Sequence, residues 1–376
     1  MKGVKNLRFE KEKLIFLALI LAMSVFSPAS SDAAPKIEAD AAILMDVSSG
    51  QVLYDKHGSK RRSPASLTKI MTGIIALEYS HLGEVVTVSR KAGAVSTGST
   101  IGLQAGDEIT LSNLLEAALL SSANDSTVAI AEHIGLSHDA FIHLMNKKAV
   151  ALGAFQTRFA NTNGYSNPNH YSTAQDLAII TRYALQNEFF NRLVSTKETT
   201  VAWYEPIKEK DIKNTNRVLT QEEYPGIDGV KTGTAIKAGK CYIASATRDG
   251  RRLIAVILHS SKRYDDAVEL LDYGFNSTDI YVLCQQGQAF PNVSVSEGIK
   301  SSVPAIAKEK VSAYLDTQDP PEVQGKVIAS KLTAPVNKGD IIGQVIFTTD
   351  QGELGRTDLV AKESVRKPWW PVRIWK

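Results

Sequence analysis

Three short clusters stand out by residue type and spacing: Ser66-Leu67-Thr68-Lys69, Ser122-Ala123-Asn124 and Lys231-Thr232-Gly233-Thr234. A serine hydroxyl is a weak nucleophile until a neighbouring base takes its proton. The i,i+3 spacing puts Ser66 and Lys69 on one face of a helix. A lysine acts as that base only when burial or a second cation lowers its pKa. The second cluster offers a hydroxyl to relay protons and an amide to hold a substrate. In the third, Lys231 supplies the second cation, Thr232 a hydroxyl, and Gly233 room for a ligand backbone. Each cluster alone reads as a helix start, a helix cap or a turn. Their joint occurrence, in this order, points to covalent catalysis by an activated serine.

The elements that must carry these residues follow from apolar periodicity. Residues 41–46 and 51–54 are apolar runs around Ser48-Ser49-Gly50, a hairpin. Leu67, Ile70, Met71, Ile74, Ile75 and Leu77 predict a helix over 66–79, with Ser66 at its start. Further helices are expected over 111–120, 125–134, 139–152 and 173–185, so Ser122 and Asn124 fall in a break between two of them. Residues 160–172, rich in Asn, Gly, Pro and Ser, must be loop. Strands are expected over 229–234, 240–248 and 251–259, the last two joined by Asp249-Gly250. A helix over 263–275 closes the region. Strands, then helices, then strands imply an α+β fold, an antiparallel sheet flanked by helices.

The chain has 376 residues, enough for two or three domains. A net charge of +3 and an apolar fraction of 43% exclude wholesale disorder and give no footprint for nucleic acid. Residues 1–33 read as a secretory signal: Lys2, Lys5, Arg8, Lys11 and Lys13 precede an apolar run over 14–26, then Pro28 and small residues, with cleavage after Ala33. That run is too short for a bilayer span. Residues 34–275 are expected to be the catalytic domain. After 276, short Val/Ile runs alternate with turn residues, as in a small all-β domain over 276–360. Residues 361–376 end the chain with Trp369, Trp370 and Trp375 among Arg366, Lys367, Arg373 and Lys376, a pattern for a membrane surface. Residues 361–365 are expected to add a turn of helix. Cys241 and Cys284 make no disulfide framework and fit no zinc spacing. No metal-binding histidine pattern and no nucleotide-binding glycine pattern occurs, so no cofactor is implied. His170 is read as a structural hydrogen-bonder rather than a catalytic group, and Arg263 as a solvated helix start rather than a group that helps bind a carboxylate.

With these three clusters, and with the segments Pro64-Ala65-Ser66-Leu67-Thr68-Lys69, His170-Tyr171-Ser172-Thr173-Ala174 and Asp228-Gly229-Val230-Lys231-Thr232-Gly233, the chain resembles the serine D-alanyl-D-alanine carboxypeptidases, the low-molecular-mass penicillin-binding proteins. The resemblance implies the serine β-lactamase and penicillin-binding-protein fold, and an exported location on the outer face of the cytoplasmic membrane or in the cell-wall space. The implied substrate is a peptidoglycan pentapeptide ending in D-Ala-D-Ala, with β-lactams as inhibitors. It implies Ser66 as nucleophile, Lys69 as base and Ser122 as proton relay. Asn124 would hold the substrate's side amide, and Lys231 and Thr232 its terminal carboxylate. The backbone N–H groups of Ser66 and Thr234 would form an oxyanion hole. Thr234 departs from the histidine of many members, which implies altered substrate or deacylation kinetics. The alternatives are a serine β-lactamase and a non-catalytic penicillin-binding wall protein. The first lacks a Glu-x-x-Leu-Asn segment between Asn124 and Lys231. The intact Ser66, Lys69, Ser122 and Lys231 oppose the second.

Overall fold

The strand Ala41–Asp46 is buried at every position, which requires that both faces of its sheet be covered. The computed structural model describes residues 35–350 and 352–369. It places this strand second in a five-stranded antiparallel sheet ordered Val52–Lys56, Ala41–Asp46, Arg251–Leu258, Gly239–Arg248, Ile227–Ala235. Side chains alternate between the faces. Ile43, Met45, Ile243, Ile254 and Val256 join a large core with the helices of one layer. Ala42, Leu44, Tyr242, Ala255 and Ile257 pack on the other side against Ala267, Leu270 and Leu271 of helix Arg263–Asn276.

The first layer holds helices Lys69–Tyr79, Leu111–Leu119, Asn124–Gly135, His138–Ala151 and Ala174–Ala184. Three of them start on a hydroxyl cap: Thr110, Ser137 and Thr173 each accept from a backbone N–H three residues on. The α+β architecture with its flanked antiparallel sheet is therefore as expected. Not anticipated are helix Glu188–Ser195 and a four-stranded sheet of Val85–Thr87, Glu108–Thr110, Glu198–Glu205 and Lys208–Lys213. Asp107 pins that sheet, accepting from Trp203 Nε1 and Lys208 Nζ, both at 2.9 Å.

The C-terminal part is all β among the described residues. Thr278–Cys284 pairs with Val311–Asp316, and a six-stranded sheet runs Gln324–Ala329, Ile341–Thr349, Gly352–Ala361, Ser302–Ala307, Ala289–Ser296, Leu332–Thr333. It has its own core, including Val303, Ile342, Val345 and Leu359. It meets the first part through polar contacts. Gln51 and Tyr314 exchange two hydrogen bonds (2.5 and 2.8 Å), and the Arg251 guanidinium stacks 3.7 Å over the Tyr314 ring. Cys241 and Cys284, one in each part, are both free and buried.

The expected helical turn over 361–365 is not formed. Ala361 closes a strand, and Val365, fully buried, exchanges backbone hydrogen bonds with Val336. The apolar Ala361 and Val365 belong to the β core, so this stretch is not free to fold as a helix. The expected signal segment and the tail residues Trp370, Arg373, Trp375 and Lys376 lie outside the described residues. No helix among the described residues is long and apolar enough to cross a membrane.

Candidate active site

Ser66 sits in a 3-10 turn, Ala65–Thr68, that runs directly into helix Lys69–Tyr79. The turn is held from three directions. Ala65 adopts a left-handed φ of 48°, a costly state for a residue with a Cβ. Gly164 crosses so close that a Cβ there would lie 1.8 Å from Ala65 O. Thr68 Oγ1 donates to Ala65 O at 2.8 Å and is itself met by His170 Nε2 at 2.8 Å. His170 Nδ1 accepts from Ala160 N–H at 2.9 Å, so the ring proton sits on Nε2 and points to Thr68. Burial keeps this histidine neutral, its pKa down to about 4. His170 is thus the structural hydrogen-bonder expected of it.

Lys69 is fully buried one turn beyond Ser66. Its Nζ lies 3.0 Å from Ser66 Oγ, 2.7 Å from Asn124 Oδ1 and 3.0 Å from the Asn163 carbonyl. Burial first, and the ammonium of Lys231 second, push its pKa well below the ordinary lysine value, and Asp125 opposes them. Lys231 is also enclosed, and its Nζ makes no hydrogen bond to any described residue. Burial, reinforced by the Arg263 guanidinium, lowers its pKa to about 7. A buried ammonium without a partner is costly and favours a nearby anion.

Ser122 lies between helices Leu111–Leu119 and Asn124–Gly135 with a left-handed φ of 62°. Asn124, first residue of the second helix, has its amide fixed at both ends. Oδ1 takes Lys69, while Nδ2 donates to Thr97 O at 2.9 Å and contacts Tyr165 Oη at 3.1 Å. On the other wall runs strand Ile227–Ala235. A Cβ on Gly233 would stand 3.0 Å from Ser66 N, so the strand approaches the Ser66 backbone as only glycine allows. Ser66, Ser122, Asn124, Thr232, Gly233 and Thr234 line one cleft of about 290 Å³. The spacing of the three clusters, 56 and then 109 residues from start to start, is closed by the fold into a single wall-to-wall site.

Several lining residues were not anticipated. Asn163, Gly164 and Tyr165 come from the segment read only as loop, and Thr215 from a stretch with no distinguishing pattern. Arg263 is a correction: it is not a solvated helix start. Its guanidinium donates to Gly233 O and Thr234 Oγ1, both at 2.9 Å, and joins the cleft wall. Helix Arg263–Asn276 packs on the sheet and so aims its first residue at the end of the Ile227–Ala235 strand, a placement that local sequence does not carry.

Residues 28–262 match the D-alanyl-D-alanine carboxypeptidase family of S11 peptidases, and residues 280–367 match the C-terminal domain of penicillin-binding protein 5. The D-alanyl-D-alanine carboxypeptidase DacF of Bacillus subtilis (strain 168) is 33% identical over 340 residues, which is 88% of this chain and 86% of that protein. Penicillin-binding protein 5 from Haemophilus influenzae superposes with a TM-score of 0.71 at 28% identity, covering 89% of this chain and 99% of that one. The D-alanyl-D-alanine carboxypeptidase DacD from Francisella tularensis shares the fold with a TM-score of 0.74 at 24% identity, over 93% and 98% of the two chains. With a serine turn, a buried lysine pair and a glycine-bearing strand meeting in one cleft, and with these matches, the chain belongs to the S11 family of D-alanyl-D-alanine carboxypeptidases.

Proposed function

We propose that this serine hydrolase removes the terminal D-alanine from peptidoglycan pentapeptides through an acyl-enzyme on Ser66. The observation that carries the reading is the 3.0 Å contact between Ser66 Oγ and an enclosed Lys69 whose proton affinity is lowered. Neutral Lys69 takes the Ser66 proton as Oγ attacks the carbonyl carbon between the two D-alanines. The backbone N–H groups of Ser66 and Thr234 face the developing oxyanion. The proton returns through Lys69 and Ser122 to the leaving amine, and D-alanine departs. Lys231 and Thr232 hold the terminal carboxylate, and Asn124 the substrate's side amide. Water then hydrolyses the ester on Ser66. A β-lactam presents the same acyl group and carboxylate, and it acylates Ser66.

Residues 1–33 act as an export signal, 34–275 as the catalytic unit, 276–360 as a β domain, and 361–376 as a membrane-surface tail. The enzyme then works on the outer face of the cytoplasmic membrane or in the wall space. The reading is tested by incubating the purified protein with a pentapeptide ending in D-Ala-D-Ala and with a labelled penicillin. Wild type releases D-alanine and is labelled covalently, whereas Ser66→Ala does neither. Labelling that survives in Ser66→Ala sinks the assignment of the nucleophile. Fast turnover of penicillin by wild type favours the β-lactamase alternative.

A further inference from the structure

Thr215 belongs to none of the three clusters, yet it lines the cleft with its hydroxyl 2.6 Å from Thr232 Oγ1. Its backbone is tied down on both sides. The N–H donates to Leu120 O at 3.0 Å, two residues before Ser122, and the carbonyl faces the Tyr264 hydroxyl at 3.5 Å. That hydroxyl accepts from Arg263 Nη2 at 2.9 Å, while Nη1 of the same guanidinium holds Gly233 O and Thr234 Oγ1. The segment Thr232–Thr234 is therefore gripped at both ends, by Thr215 at one and Arg263 at the other.

A hydroxyl carries one proton and two acceptor positions, whereas a carboxylate only accepts. Thr232 can therefore meet a carboxylate only as donor. Its proton is free for that task only if the bond between the two threonines runs from Thr215 O–H to Thr232 Oγ1. With Thr215 as donor, Thr232 is left with its proton facing the cleft. A neutral ester terminus is also an acceptor, but a weaker one, and gains less from a directed donor.

We propose that Thr215 is a positioning residue that turns the Thr232 hydroxyl proton toward the terminal carboxylate of the substrate, and so makes the site selective for acyl donors ending in a free carboxylate. The inference rests on the carboxypeptidase reading and deepens it, by naming a group that acts through Thr232 without touching the reacting atoms.

The test compares wild type, Thr215→Val and Thr215→Ser on two acyl donors. One is an N-acyl-D-alanyl thioester of thioglycolate, and the other is the same thioester with its carboxylate methylated. Valine keeps the shape and removes the hydroxyl; serine restores it. Expected in Thr215→Val is a fall of about fivefold in kcat/KM for the carboxylate donor, the scale of one neutral hydrogen bond whose loss lets the Thr232 proton turn away from the carboxylate. The methylated donor is expected to change by less than about twofold, because it engages Thr232 weakly. Thr215→Ser should regain most of the preference. Equal losses on both donors assign Thr215 a general packing role and overturn the inference, as does no loss on either. A wild type that both thioesters fail to acylate refutes the carboxypeptidase reading itself, and this inference with it.

Discussion

Lys69 is enclosed within reach of the Lys231 charge, and burial together with that charge holds its pKa well below that of a free lysine, while burial and the Arg263 guanidinium lower that of Lys231 to about 7. The sign of the coupling is testable. In the proposed mechanism protonated Lys69 cannot accept the Ser66 proton, so acylation should rise with pH as Lys69 loses its own. Removing the Lys231 charge relieves one of the two forces that lower the Lys69 pKa. In Lys231→Met the acid limb of acylation should therefore move to higher pH. The measurement uses a neutral-ended ester, so that loss of carboxylate binding does not mask the shift. An acid limb that stays in place or moves to lower pH means that the Lys231 charge does not govern Lys69. Burial itself remains in the variant, so Lys69 should still titrate below a free lysine.

At the scale of elements, the site depends on how a 3-10 turn is braced by a loop. The chain of bonds from Ala160 N–H through His170 and Thr68 to Ala65 O works only with a neutral ring, because Nδ1 must accept. His170 titrates at about 4 in the fold and near 6.5 when unfolded. Between these values the unfolded chain binds a proton that the native one does not. Stability is thus fully present above about 6.5 and lost as pH falls toward 4, by up to about 3 kcal/mol from this group. Urea unfolding at pH 7.5 and pH 4 should show that extra loss in wild type and not in His170→Gln; equal acid losses in the two would remove His170 as the cause. The brace was half legible in the sequence. The helices and the three long strands follow from apolar periods, and His170 stood out beside a recognisable segment. Glu198–Glu205 and Lys208–Lys213 escaped notice because only Val201, Trp203 and Ile212 of the pair are buried, too few to set a period. Tyr165, Thr215 and Arg263 reach the cleft through long-range packing, which leaves no local pattern.

For the whole molecule, the tail hypothesis belongs to the residues beyond Val365, since that valine is locked into the β core. Indole rings favour the headgroup level and basic side chains favour anionic lipid. Protein lacking residues 1–33 should co-sediment with anionic liposomes at low salt and less so at high salt, whereas a chain ending at Val365 should stay in the supernatant. Equal sedimentation of both would reject the tail as anchor and leave the chemistry of Ser66 untouched. The two parts also carry one enclosed thiol each. Cys241 is paired opposite Gly233 in the strand register, with burial raising its pKa to about 11, and Cys284 sits in the β core, its pKa also raised by burial. A thiol reacts as thiolate and only when reached, so neither is open to an alkylating reagent while its surroundings stay closed. The chain thereby holds two built-in clocks: the rate of alkylation at Cys241 times the opening of the catalytic sheet, and the rate at Cys284 times that of the β core.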